Sequence, residues 1–408
     1  MSLQERMDRK KRENMQVYLD NSATTKQYEE VTQTMMRVME DNFGNPSSLH
    51  SLGLKAEKEV REARKNVAAA LGAAEEEIFF TSCGTESDNT VLMGAAQAKK
   101  RTGKRIITTA VEHPAILEPA RKLESMGYEV IYLNVDDKCH LNLDALKEAV
   151  NDDTILISVM GVNNETGTIM PIPEIAAWKE EYNRTHGTDI WLHSDIVQAF
   201  GKIPLSLQGN YRGVDFLSVS AHKIHGPKGM GALYIKKGKN LPAFLLGGGQ
   251  ERHMRSGTEN TPGIAGFGTA ARLASEDFAA RQETMSKARS FLLDGIRSEI
   301  KDIRINSLED ETACPSVLNV SFFGTRGEVI LHTLEQDGIF VSTGSACSSN
   351  HASSKGSHVL NAMGLKPKEI EGAIRFSFSQ FNTQEEMEYV LEKVKTAVQR
   401  FRRLGSFR

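Results

Sequence analysis

The sequence has few cysteines, Cys83, Cys139, Cys314 and Cys347 among 408 residues, and they show neither CxxC spacing nor a disulfide pattern. That excludes a disulfide-stapled scaffold and reads as thiols kept free in a reducing cytoplasm. No apolar run reaches ~18 residues, which argues against a membrane-spanning helix. The start, Met1 to Glu13, is charged and lacks an apolar core, so it reads as a surface helix and not as a secretory signal. Excess charge is missing as well: 50 basic against 53 acidic residues leave a net charge of −3, which argues against general nucleic-acid binding. There is no internal repeat and no low-complexity linker. What is present is the composition of an ordinary globular protein, 39% hydrophobic and 25% charged, long enough for two domains.

From about residue 55 to 275, strand and helix signals alternate. Ala56, Val60, Ala63, Val67 and Leu71 recur at helical spacing, and Gly72 follows as a C-cap. Seven strand candidates follow: Ile78–Thr81, Arg105–Ala110, Glu129–Val135, Thr154–Val159, Asp189–His193, Asp215–Val219 and Gly231–Lys236. Thr85-x-x-Asp88 resembles a capping box opening a helix. The pattern predicts an α/β fold with a mostly parallel seven-stranded sheet. A charged helix, Glu276 to Lys301, leaves that pattern. Strands near Ser316–Phe322 and Ile374–Ser379 then belong to a smaller α+β unit. Its last helix is capped by Thr383-x-x-Glu386 and carries Met387, Val390, Leu391, Val394 and Val398 on one face. The expected division is a large domain over 25–275 and a small one built from 1–24 and 276–408.

Ligands of parallel α/β sheets bind beyond the carboxyl ends of the strands. Four polar residues fall at such ends: His113, Asn164, Asp195 and Lys223. Ser220-Ala221-His222-Lys223 is the most telling of these. A lysine closing a strand, flanked by two phosphate-capable side chains, is what pyridoxal phosphate chemistry requires, because its amine forms a Schiff base with an aldehyde. The phosphate cradle would be Ser220, His222 and the turn Ser82-Cys83-Gly84-Thr85, whose backbone N–H groups open a helix toward an anion. Asp195 would keep the pyridine nitrogen protonated, and Gln198, three residues on, would donate to the ring's phenolic oxygen. His113 would stack on the ring and shuttle protons. Arg375 would clamp a substrate carboxylate.

Cys347 is the candidate nucleophile, in Thr343-Gly344-Ser345-Ala346-Cys347-Ser348-Ser349. No lysine or arginine is adjacent to it; His351 and Lys355 lie close along the chain, which does not require closeness in space. The stretch from Ser342 to Ser357 has almost no bulk and reads as a loop. Cys139 and Cys314 read as buried structural thiols. The glycine triplet Gly247-Gly248-Gly249, read with Arg255-Ser256-Gly257-Thr258, is a candidate loop reaching a neighbouring subunit's site. The basic tail, Arg400, Arg402, Arg403 and Arg408, reads as a solvated end.

Several stretches jointly resemble the cysteine desulfurases, the NifS-like class V aminotransferase family of fold type I pyridoxal enzymes. They are Tyr18 to Thr25, Phe43 to Ser48, Phe80 to Ser87, Val162 to Gly167, His193 to Gln198, Ser220 to Lys223, Arg255 to Thr258 and Gly344 to Cys347. The resemblance implies a homodimer that uses pyridoxal 5'-phosphate and converts L-cysteine to L-alanine. Lys223 would carry the cofactor and remove the Cα proton. Gly84, Thr85, Ser220 and His222 would bind its phosphate, with Thr258 doing so from the other subunit. Asp195 and Gln198 would address the ring, His113 would stack on it, and Asn164 and Arg375 would hold the substrate. Cys347 would take the sulfur as a persulfide and pass it to an acceptor or scaffold protein, for iron–sulfur cluster assembly, transfer-RNA thiolation or another use. No resident metal is expected, although Cys347 could transiently ligate an iron–sulfur cluster.

The chain departs from the family pattern in places. Cys83 stands where Gly or Ala is usual, His253 replaces a usual Gly, and Ser194 a typical Val. The stretch Ser348 to His358 lacks the common Glu-Pro. That loop keeps a selenocysteine lyase open as an alternative. A plain aminotransferase would not need Cys347. A non-catalytic sulfur-transfer scaffold would show no dependence on Lys223.

Overall fold

The computed structural model describes residues 15–343 and 356–405. A two-residue strand, β1 (Val17–Tyr18), opens it. The central sheet follows, made of β2 (Ile78–Thr81), β3 (Arg105–Thr109), β4 (Glu129–Leu133), β5 (Thr154–Ser158), β6 (Trp191–Asp195), β7 (Phe216–Ser220) and β8 (Gly231–Ile235). Their order is β2-β8-β7-β6-β5-β3-β4. Only β8 runs against the rest, pairing antiparallel with both β2 and β7, so the α/β expectation with a mostly parallel seven-stranded sheet holds. Strands β5, β6, β7 and β8 are buried along their whole length, as expected where helices cover both faces of a parallel sheet.

Local chemistry sets the element ends. The helix Ser51–Leu71 buries Ala56, Val60, Ala63, Val67 and Leu71 and stops at Gly72 in the left-handed region, φ 69°. There a glycine avoids the Cβ penalty other residues meet. The Thr383-x-x-Glu386 box is present: the Thr383 amide donates to Glu386 Oε2 (2.9 Å) and the Glu386 amide to Thr383 Oγ1 (3.2 Å). The box at Thr85 and Asp88 is not. The helix begins at Gly84, and Thr85 already lies in its first turn. Glu86 Oε2 accepts from the Ser82 amide instead (2.9 Å), and Asp88 is buried. Strand β6 starts at Trp191, two residues later than expected. Asp189 stays out of the sheet because its carboxylate is held by Lys99, Lys239 and the Trp191 indole. Asp195 is therefore the last residue of the strand, not part of the following loop.

The chain beyond the helix Phe278–Glu299 builds β9 (Ile303–Ile305), β10 (Val317–Phe322), β11 (Ile339–Phe340) and β12 (Ala373–Ser377). β12-β10-β9 form an antiparallel sheet, and β11 pairs in parallel with β1. Val17 and Leu19 from the N-terminal end share a core with Leu292, Phe322, Phe376, Phe378, Val390 and Val394. Each such fully buried side chain contributes roughly 1.5–3 kcal/mol. Val359, Leu360, Met363 and Ile370 pack instead into the core beneath the central sheet. Ser357 and His358 tie the segment after residue 355 to the chain that follows β5 and β3, through Glu165 and the Glu112 carbonyl.

Candidate active site

β3 runs on through the helix Pro114–Ser125 to β4 on one side, whereas β5 runs on through Ile172–His186 to β6 on the other. The sheet order thus reverses between β3 and β5, the place where α/β folds open a crevice at the strand ends. A cavity of about 310 Å³ lies there. Its walls bring together His113, Asn164, Asp195, Gln198, Ser220, His222, Lys223, Gly84, Thr85 and Arg375. Ser22, Ala23, Cys83 and Asp88 also line it.

Lys223 ends the short turn Ala221–Lys223 that follows β7. Its ammonium donates to the carbonyls of Ser22 (2.5 Å) and Ala23 (2.6 Å), which the sequence motif from Tyr18 to Thr25 supplies. Asp195 Oδ1 accepts from the Val197 amide at 2.9 Å. His113 is the N-cap of the helix Pro114–Ser125, and its Nδ1 accepts from the Ala115 amide at 3.1 Å. Burial and then the nearby positive charge of Lys223 push the His113 imidazole down to about 4. It is therefore neutral at pH 7, with its ring proton on Nε2. Burial likewise lowers His222 to about 4, and its Nδ1 lies 3.1 Å from Thr24 Oγ1.

Arg375, on β12, reaches the cavity from the second sheet. It donates to the Asn164 carbonyl (3.0 Å) and pairs with Asp20 (2.9 Å). Its Nε remains buried with no hydrogen-bond partner. Ser22 Oγ, Asn164 Oδ1, Ser220 Oγ and Asp88 Oδ1 are in the same condition. Buried polar atoms left unmatched cost about 1–3 kcal/mol each, so a cluster around one cavity marks groups awaiting a polar ligand. The backbone at Gly84 is also packed close: a Cβ there would lie 2.7 Å from Val197 Cγ2. Donors at a helix N-terminus, a free serine hydroxyl, a carboxylate and a lysine fit an anionic pyridine aldehyde.

Sequence reasoning missed a set of buried acids. Glu112, which precedes His113, is fully buried and accepts from Thr109 Oγ1 (2.8 Å) and the Met160 amide (2.9 Å). Burial pushes its carboxyl up to about 8. Asp88, fully buried, is raised well above its ordinary value by burial and by Asp195. Burial raises Asp195 to about 6, offset by the Val197 amide and Lys223. These values order the acids: Asp195 is ionised at pH 7, whereas Glu112 is protonated. The only sequence signal for Glu112 was its place before His113.

Glu112 binds its proton in the folded state up to about pH 8 but loses it near its ordinary value when unfolded. Its stabilising contribution is complete at acid pH and lost as pH rises toward 8. Between pH 6.5 and 8 the cofactor-free protein is expected to lose about 1–2 kcal/mol through this group. Glu112→Gln should remove that part of the slope in urea titrations run across this range. An unchanged slope would refute the assignment.

One expectation falls outside this cavity. Thr258 is exposed and lies on a separate cavity of about 60 Å³, beside Arg255 and Glu259. Arg255 pairs with Glu86 at 3.0 Å, on the helix that opens toward the main cavity. The preceding Glu251, Arg252 and His253 all have left-handed φ values of 47°, 54° and 66°. They are pinned by Glu251, which accepts from Arg64 and the Phe80 amide. Cys347 lies outside the described residues, as do His351 and Lys355. Cys139 and Cys314 are buried, and Cys83 is partly exposed.

The family model for aminotransferase class-V matches residues 17–390. The chain is 45% identical over 393 residues to the cysteine desulfurase IscS of Clostridium botulinum, covering 96% of each. It is 44% identical to the cysteine desulfurase IscS of Methanosarcina thermophila, over 96% of this chain and 94% of that one. Among solved structures it is similar to a NifS-like protein, with TM-score 0.86 and 39% identity over 94% of this chain and 100% of that one. It is also similar to SspA in complex with cysteine, with TM-score 0.76 and 32% identity over 90% and 100%.

Proposed function

The chain belongs to the aminotransferase class-V family, and on that premise we propose that it is a pyridoxal phosphate-dependent cysteine desulfurase. One observation carries the reading. Lys223, Asp195, His113 and Asn164, each at the end of a different strand of the sheet, meet around one cavity with Arg375.

Pyridoxal phosphate bound there would supply an electron sink for the Cα of L-cysteine. Lys223 would hold the cofactor and move the Cα proton. Ser220, His222, Gly84 and Thr85 would bind the phosphate, Asp195 and Gln198 the ring. Arg375 and Asn164 hold the substrate carboxylate. The Cys347 thiolate attacks the substrate sulfur. The S–S bond forms as the C–S bond breaks, the electron pair stays with carbon, and a proton taken up there completes alanine. An acceptor or scaffold protein then takes the sulfur. Residues 25–275 serve as the cofactor domain, and 1–24 with 276–408 as the small domain. The free cysteines suit a reducing cytoplasm. Among the described residues no helix is long and apolar enough to cross a membrane.

The experiment is turnover of L-cysteine by the purified protein with pyridoxal phosphate. Alanine and protein-bound persulfide are expected in equal amounts in the first turnover. Activity confined to L-selenocysteine would replace this reading with a lyase, and consumption of a keto acid with an aminotransferase.

A homodimer is part of the proposal. Met36, Phe43, Leu49 and Leu54 are 52%, 66%, 94% and 58% exposed, and Leu246 is 88% exposed. So much exposed apolar surface is unusual on a monomer. Leu246 lies on the loop that leads to Thr258, so a second copy would both cover this surface and deliver its threonine. Leu49→Asp/Leu246→Asp is expected to sediment as a monomer and to bind pyridoxal phosphate about tenfold more weakly, the loss of one charge-assisted hydrogen bond. A monomeric parental protein would overturn the dimer.

A further inference from the structure

Lys202 is 6% exposed, and its ammonium lies 2.7 Å from Gln198 Oε1. Among the described residues it has no carboxylate partner. An unpaired buried ammonium is costly, so its retention calls for a reason. The geometry at Gln198 supplies one. An ammonium only donates, so the amide atom facing it must be the oxygen. On the other side Gln198 Nε2 donates to the Ser22 carbonyl at 2.9 Å. Both contacts select the same amide orientation. They leave the second N–H of Gln198, a residue that lines the main cavity, for a ligand.

Resting on the proposed cofactor, we infer that Lys202 is a positioning residue that fixes the Gln198 amide as a donor to the phenolic oxygen of pyridoxal phosphate. The ammonium also polarises that donor through the amide, which stabilises negative charge on the oxygen it meets. Burial lowers Lys202 to about 8, with Arg375 adding to the effect, so it is still charged at pH 7. The other ionisable groups facing it are Cys314, His222 and, across a small cavity of about 20 Å³, Lys223, His225 and Arg281.

The test follows the absorbance of bound pyridoxal phosphate against pH in the holoprotein, and its dissociation constant. Lys202→Met is expected to raise the midpoint of the absorbance titration by about one pH unit and weaken binding about tenfold. Lys202→Gln keeps a donor without the charge and should move the midpoint about half as far. That variant carries the test should Lys202→Met not fold. On a Gln198→Ala background Lys202→Met should add nothing to the midpoint, because the two residues act as one unit. A midpoint equal to the parental one in either Lys202 variant overturns the inference. A parental protein that takes up no pyridoxal phosphate overturns the cofactor reading itself.

Discussion

Lys223→Ala is expected to lower turnover of L-cysteine by about 10⁴-fold, the upper range for loss of a positioned acid–base group. On the proposed mechanism the substitution removes both the tether for the cofactor and the amine that moves the Cα proton. It should not unfold the protein. Lys223 is only partly buried, and the Ser22 and Ala23 carbonyls it leaves face a cavity that water can fill. Steady-state kinetics with saturating pyridoxal phosphate measure the loss. A small primary amine added to the variant should restore part of it, because a diffusing base can enter the space the side chain vacates. A variant retaining a tenth of parental turnover would show that the proton is moved elsewhere.

Cys347→Ala should abolish the persulfide, with sulfur labelling falling to background while the cofactor absorbance persists. On the proposed route the site divides into two functions, with Cys347 to receive sulfur and the cavity to activate the substrate. Cys83 is the other thiol to consider, since it lines the cavity, but it directly precedes Gly84, where the proposal puts the cofactor phosphate. Peptide mapping after single turnover with L-cysteine is therefore expected to find the extra sulfur on Cys347 in the parental protein. Normal sulfur transfer by the alanine variant, or label on Cys83 alone, would defeat the proposed route.

Periodicity made most of the architecture legible. The seven strands announced themselves as short apolar runs, and the amphipathic spacing of Ser51–Leu71 ended at a glycine found in the left-handed region. The strand ends also pointed at one crevice, because parallel topology places loop residues on one edge whatever their distance in sequence. What stayed hidden depended on contacts between distant segments. Strand β6 began late because Asp189 answers to Lys99 and Lys239, which no local pattern reveals. Thr85 and Asp88 matched a capping box by letter, but burial of Asp88 removed it from the surface such a box needs. Glu112 and Lys202 look like ordinary charged residues in sequence. Only the packed interior shows the first buried against Thr109 and the Met160 amide and the second turned toward Gln198.

The most direct measurement is borohydride reduction of the pyridoxal phosphate-loaded protein, followed by peptide mass spectrometry. Yellow absorbance is expected to disappear on reduction, and a phosphopyridoxyl group is expected on the peptide containing Lys223. An unmodified Lys223 in a protein that nonetheless turns over L-cysteine would contradict its proposed role.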